Sequence, residues 1–260
     1  MNLWQGILLG LVQGVTEFLP VSSSGHLVLV EALTGVHFTD VTVEVSLHVA
    51  TLGSLLFVYG RRLWEIARGV VRGDGPSLRY AALLAIATIP AGVVGILFHR
   101  QIEERFHSLF WLGVQFLITG AILWWTRGPR GERTLPSVGA ATGIGFAQAF
   151  AILPAISRSG ATVAAALWSG LTPAAAAEFC FLMAIPVIAG AGLLEARNAA
   201  LNVAQIGAVP WAASFVIAFV AGIWSIRLLV GVLQRGRFYV FAPYCWVVGA
   251  LTLAYALWHG

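Results

Sequence analysis

The sequence predicts an all-α integral membrane protein, with six transmembrane helices and two re-entrant helical hairpins arranged as an inverted-topology repeat. Three observations lead there. The apolar content is too high for a soluble core, two polar breaks interrupt otherwise apolar stretches, and arginine is unevenly placed along the chain.

Of the 260 residues, 59% are hydrophobic and only 10% are charged. A soluble domain averages roughly 45–50% apolar and about 25% charged. One core of this size cannot hide the excess, whereas a bilayer solvates apolar side chains directly. No linker-like or low-complexity stretch divides the chain, so residues 1–260 read as a single membrane domain. The formal charge of +4 comes from arginine, with no lysine. Because it lies in short loops between apolar segments, it marks topology rather than a nucleic-acid surface, and no nucleic-acid partner is expected. Cys180 and Cys245 fall inside apolar segments and read as small core residues. Residues 1–19 lack a basic leader and a small-residue cleavage site, and read as mature protein.

Six stretches have the length of a crossing, about 20 residues of helix. They are 42–60, 80–98, 108–126, 174–194, 206–226 and 238–258. Trp111, Trp124, Trp125, Trp211 and Trp258 lie near segment ends, where indoles favour the headgroup level. Pro90, Pro186 and Pro243 are expected to kink helices. Two further regions, 2–33 and 137–171, are apolar but interrupted by LPVSSSGH at 19–26 and LPAISRSGAT at 153–162. Backbone facing lipid cannot be left without hydrogen-bond partners. Each break must therefore be buried in protein or line a wet cavity, and a helix that enters, breaks and returns satisfies this.

Arginine placement tests the idea. With both broken regions re-entrant, the loops at 61–79, 127–133 and 227–237 share one side and carry eleven arginines. Arg100, Arg105 and Arg197 lie opposite, and Arg158 sits within a break. A full crossing at 137–171 would reduce the split to nine against five. The positive-inside rule favours six spans plus two hairpins, with both termini outside.

The breaks resemble one another. Ser22 and Ser157, Ser24 and Ser159, and Gly25 and Gly160 are each 135 residues apart, while Glu44 and Glu178 are 134 apart. Repeat halves of 1–126 and 137–258 each hold one broken region and three spans. An odd span count inverts the second half, an arrangement that places sites near the midplane.

Gln13 and Glu17 are four apart and share a helical face; Ser23 and His26 are three apart. Hydroxyls, unpaired backbone N–H groups and a helix N-terminus together suit an anion. Gly25 and Gly160 allow a ligand close to the backbone. Arg158, between Ser157 and Ser159 and followed by Thr162, costs roughly 2.5–3.5 kcal/mol at membrane depth unless paired or hydrated. A bound phosphate would meet that need, as would an ion pair with Glu17 or Glu178. Glu17 is a candidate catalytic or metal-coordinating carboxylate, and equally a partner for Arg158. The serines could simply satisfy freed backbone groups, His26 could be a packed histidine, and Glu44 and His48 could tune packing or orient the site.

At these residues the chain resembles the bacterial undecaprenyl-diphosphate phosphatase family of the bacitracin-resistance type. The resemblance rests on the (E/Q)xxxE pattern at Gln13 and Glu17, on TEFLPVSSSGH, on LPAISRSGAT and on AAEFCFLMAIP at 176–186. The family's PGxSRSxxT motif has Ala155 in place of its glycine. The resemblance implies a bacterial inner-membrane enzyme, its site facing the periplasm, that hydrolyses a polyprenyl diphosphate and recycles the lipid carrier for cell-wall polymers. It implies the same six-span, two-hairpin fold. On this reading Arg158, Ser157, Ser159, Gly160 and Thr162 bind phosphate, with Ser22, Ser24 and Gly25 beside them. Ser23 is the expected nucleophile and His26 its base; direct attack by water activated by Glu17 or His26 is the alternative. Glu17, with Gln13, is expected to hold a divalent cation, Mg2+ or Ca2+. The expected partners are the lipid substrate, the bilayer and a second copy in a homodimer. A transporter or flippase of lipid phosphate or small anions is the competing class, since inverted repeats also build transporters. Phosphate release by detergent-purified protein separates the two.

Overall fold

A computed structural model describes the backbone of residues 1–34, 41–105, 108–128 and 131–259. Within these, the side chains at 41, 42, 44, 99, 100, 102–105, 191, 194–206 and 259 are outside the description, and so are Arg130 and the side chains of Glu44, Arg100, Arg105 and Arg197. The described residues form helices and no named strand; the one β-bridge, Arg133 with Leu171, is isolated.

The elements are α1 (Leu3–Thr16), α2 (Ser23–Thr34), α3 (Val41–Val71), α4 (Gly75–Arg105), α5 (Leu109–Trp124), α6 (Val138–Phe150), α7 (Arg158–Trp168), α8 (Pro173–Ile206), α9 (Ala208–Gln234) and α10 (Ala242–His259). A short 3₁₀ turn, Phe238–Phe241, leads into α10. Among the described residues, four segments are long and apolar enough to cross a membrane: Gly75–Phe98, Pro173–Gly190, Ala208–Gln234 and Phe238–Trp258. The two remaining expected spans fall on α3, which is 31 residues long, and on α5, which is apolar but 16 residues long.

Both interrupted regions are helix–break–helix units. The breaks come at 17–22 and 151–157, and the two helices of each unit pack on one another. Several helix contacts have a counterpart when the halves are exchanged, whereas α7–α8, α5–α7 and α1–α3 have none of comparable extent among the described residues. The α1–α9 contact answers to α6–α4, α3–α9 to α8–α4, and α3–α4 to α8–α9; α3–α8 and α5–α10 each map onto themselves.

Two local readings need correction. The expected loop at 61–79 is mostly helix, because α3 continues to Val71 and α4 starts at Gly75. The arginines there ride on helix ends, where Arg61 meets Glu65 at 3.1 Å across one turn. Asp74 caps α4 by accepting from Ser77 N (3.0 Å) and Ser77 Oγ (2.6 Å), which hold its carboxyl below the ordinary range. Pro90 and Pro186 lie inside helices as expected, but Pro243 lies in the first turn of α10, where no partner for its missing N–H is needed. Trp111, Trp125 and Trp258 are exposed, as suits the headgroup level, whereas Trp124 packs against Trp246 and Trp211 has a buried indole nitrogen.

The closest helix contact is α1 on α9. A Cβ at Gly6, Gly10 or Gly14 would strike the backbone of Pro210, Ser214 or Ala218 respectively, so glycine at every fourth residue lets the two backbones meet. Ser225 Oγ then donates to Val15 O at 2.7 Å. Overpacking a tight contact costs about 1–3 kcal/mol. Gly10→Val is therefore expected to lower the melting temperature in detergent by several degrees. Gly92→Ala, at a position with open space around it, is expected to leave it unchanged.

Candidate active site

The chain enters each break from a helix and leaves it through a serine N-cap. Ser157 Oγ accepts from Gly160 N at 3.1 Å and starts α7; Ser22 Oγ accepts from Gly25 N at 3.3 Å and starts α2. Side-chain oxygens at this position satisfy N–H groups that the first helical turn leaves over. The residues that follow the caps, Ser23 and Arg158, thus stand at two helix N-termini where the backbone dipole favours negative charge. Ser22 is the only non-glycine residue with positive φ (67°) among those described. A serine held there is strained, and such strain collects at functional sites.

Glu17 caps the C-terminal end of α1, and its side chain is buried. It collects four polar partners. Ser23 Oγ donates to Oε2 at 2.6 Å, Gln13 Nε2 donates to the same oxygen at 3.0 Å, and His48 Nε2 lies 3.5 Å away. Arg158 Nη2 pairs with Oε1 across the two breaks. Of the two carboxylates the sequence offered to Arg158, it is Glu17 that takes it. Glu178 is engaged by Arg62 Nε at 2.9 Å and Tyr80 Oη at 3.1 Å.

The breaks also clasp one another through their backbones. Ser22 Oγ and Ser24 Oγ donate to Pro154 O at 2.9 and 2.5 Å, and Ser159 Oγ returns a bond to Leu19 O at 3.1 Å. From outside, α5 supports the second break: Ala155 N donates to Gln115 Oε1 at 2.8 Å, and Thr119 Oγ1 donates to Ala155 O at 3.0 Å. The methyl of Ala155, where the family motif has glycine, is fully buried with Leu112 and Phe116. On the first break, Cys245 Sγ of α10 donates to Pro20 O at 3.6 Å, so the buried thiol supports the backbone.

A cavity of about 170 Å³ lies between the breaks. Its polar side is Glu17, Ser22, Ser23, Ser24, Ser157 and Arg158, joined by His48 and Gln148. Its apolar side is Ala91, Ile152, Ile156 and Val187, contributed by α4, the second break and α8. The remaining predicted residues do not line it. Gln13 stands behind Glu17. Gly25 packs on Phe116, and Gly160 packs near Ser157 and Pro20. Thr162 bonds Arg158 O within α7 and borders a second void of about 10 Å³.

His26 is not brought to Ser23. Its Nδ1 bonds Ser22 O at 2.6 Å, and its Nε2 bonds Tyr244 Oη of α10 at 2.7 Å. Both ring nitrogens are occupied, and the group against the Ser23 hydroxyl is the Glu17 carboxylate. Gln148 was not singled out by sequence. The available signal was a lone amide in the apolar run before the second break, 135 residues after Gln13.

Removing one member of a buried ion pair costs about 3–5 kcal/mol, because the other charge is left uncompensated. Arg158→Leu should therefore lower the melting temperature more than the double variant Glu17→Gln/Arg158→Leu does. Equal losses would mean that the pair is not formed.

Residues 6–251 match the protein family described as BacA, bacitracin resistance protein BacA. An undecaprenyl-diphosphatase of Desulfosudis oleivorans is 42% identical over 270 residues, covering 96% of this chain and 97% of that protein. One from Desulforapulum autotrophicum is 38% identical over 272 residues (97% and 98%), and one from Carboxydothermus hydrogenoformans is 37% identical over 259 residues (97% of each).

Proposed function

Because this chain belongs to the BacA bacitracin-resistance family, we infer that the cavity between its breaks is the active site of an undecaprenyl-diphosphatase. The protein is a multi-pass membrane enzyme. It hydrolyses undecaprenyl diphosphate to undecaprenyl phosphate and inorganic phosphate, returning the lipid carrier to cell-wall synthesis. A transporter would move lipid phosphate or anions without this release.

The observation that carries the mechanism is the line Ser23–Glu17–Arg158, a hydroxyl, a carboxylate and a guanidinium in contact on one cavity wall. Phosphoryl transfer depends on an aligned nucleophile and on neutralised charge. On binding, the diphosphate takes over Arg158, whose fork-shaped donors suit phosphate oxygens as well as carboxylate. The N-termini of α2 and α7 add positive dipole ends. Ser23 Oγ attacks the terminal phosphorus as its proton passes to Glu17 Oε2. The Oγ–P bond forms, the bridging P–O bond breaks, and undecaprenyl phosphate leaves with the proton. Water then attacks the phosphoserine and gives a proton to Glu17. That proton returns to Oγ as the P–Oγ bond breaks and inorganic phosphate departs.

Glu17 thus takes the role of base that the sequence assigned to His26. His26 instead holds the carbonyl of strained Ser22 and so aims Ser23. Gln13 and Glu17 are the residues that would hold a divalent cation, Mg2+ or Ca2+. Gln13 Oε1 is buried without a hydrogen-bond partner beside Glu17, and an amide oxygen with a carboxylate is a donor set that would suit a hard divalent cation. Such an ion would supply charge neutralisation. The symmetric helix contacts and the arginine count support six spans and two re-entrant hairpins in inverted repeat. The arginine-rich loops mark the cytoplasmic side; the bacterial inner membrane, with the cavity toward the periplasm, belongs to the same proposal.

Ser23→Ala is expected to lower kcat at least about 100-fold, since the covalent route is lost. Wild-type enzyme quenched in the first turnover should carry phosphate on Ser23 from substrate labelled in its terminal phosphate. Substantial turnover by Ser23→Ala would overturn the covalent route in favour of direct attack by water.

A further inference from the structure

Gln148 is 1% exposed, lies in the wall of the cavity, and has no hydrogen-bond partner at either Nε2 or Oε1. Buried amides are nearly always paired, because leaving one unpaired forfeits its bonds to water. Gln148 stands in the last turn of α6 as Gln13 stands in the last turn of α1. Gln13 gives its amide to Glu17. Leu153–Pro154 follow Leu19–Pro20 by 134 residues and Gln148 follows Gln13 by 135, so the position of Glu17 falls on Ala151 or Ile152, neither of them acidic. Ala151 also takes the corresponding place as the C-cap of its helix. The carboxylate that occupies the first glutamine is therefore missing beside the second, although the polar position is kept.

We propose that Gln148 binds the phosphate oxygens of the substrate diphosphate, Nε2 donating to a non-bridging oxygen and Oε1 accepting from a protonated one. This rests on the hydrolase reading above. The surroundings favour an anion over a cation. Beside Gln148 the second break offers the Arg158 guanidinium and a helix N-terminus, while the carboxylate of the cavity wall, Glu17, is already held by Arg158, Ser23 and Gln13. A neutral amide adds hydrogen bonds to the anion without adding charge, so the released phosphate is not held by a second full charge.

The test uses full-length protein in detergent, with Gln148→Leu and Gln148→Glu. Phosphate release from undecaprenyl diphosphate gives KM and kcat; binding of a non-hydrolysable prenyl methylenediphosphonate gives Kd. Gln148→Leu should raise KM and Kd about tenfold, as expected for one good hydrogen bond, with kcat within about threefold. Gln148→Glu should weaken both further by repelling the anion. Without ligand, Gln148→Leu should melt no lower than wild type, whereas a purely structural glutamine would show the opposite pattern. Unchanged KM and Kd in Gln148→Leu overturns the proposal. A wild-type protein that binds the analogue through Gln148 but releases no phosphate supports the proposal and overturns the hydrolase reading instead.

Discussion

The ion pair between Glu17 and Arg158 is the constraint around which the rest is built. Neither charge is well tolerated alone inside an apolar helical protein, where an unpaired guanidinium and an unpaired buried carboxylate are both expensive. Their pairing crosses the two breaks, so neither half of the chain can settle its charge without the other. The backbone follows the same logic. Carbonyls freed at Leu19 and Pro154 are satisfied by serines from the opposite break. What looks like a weakness, broken helices in an apolar protein, becomes a cross-linked polar centre that holds one geometry.

In the proposed mechanism the same pair is also the source of reactivity. An arginine already desolvated and oriented by a carboxylate is presented to an arriving phosphate with little reorganisation left to pay for. The carboxylate it leaves is in contact with a serine hydroxyl. On that mechanism, stabilising the resting protein and activating the nucleophile are two states of one set of bonds. The close contact of α1 with α9 and the support of α5 behind the second break keep the oxygens and nitrogens in register.

Much of this was legible in the chain. Apolar excess and arginine placement gave an all-helical membrane protein, and proline, serine and glycine inside apolar runs located the breaks. Arg158 stands out in the chain because a guanidinium is costly in an apolar run, and Glu17 and Ser23 stand out through their spacing and the motif resemblance. The pairings were less legible. His26 and Tyr244 are 218 residues apart, and no local spacing announces that the ring faces α10 rather than Ser23. Helix ends were misplaced at 61–79 because charge marks where a helix meets water, not where it stops. Gln148 was missed because a single uncharged amide raises no alarm in composition, and its meaning comes from lacking a partner.

The apolar part of the cavity lining, Ala91, Ile152, Ile156 and Val187, bears on which anions such an enzyme would ignore. A free nucleotide or inorganic diphosphate entering there would surrender its hydration on one side to hydrocarbon that offers nothing in return. A diphosphate joined to a prenyl chain arrives with that side already greasy, and isoprene units set against the wall would have no hydration to lose. Selection against the abundant soluble diphosphates of a cell is thus built into the solvation of the chamber, without any group that recognises the lipid by hydrogen bonding.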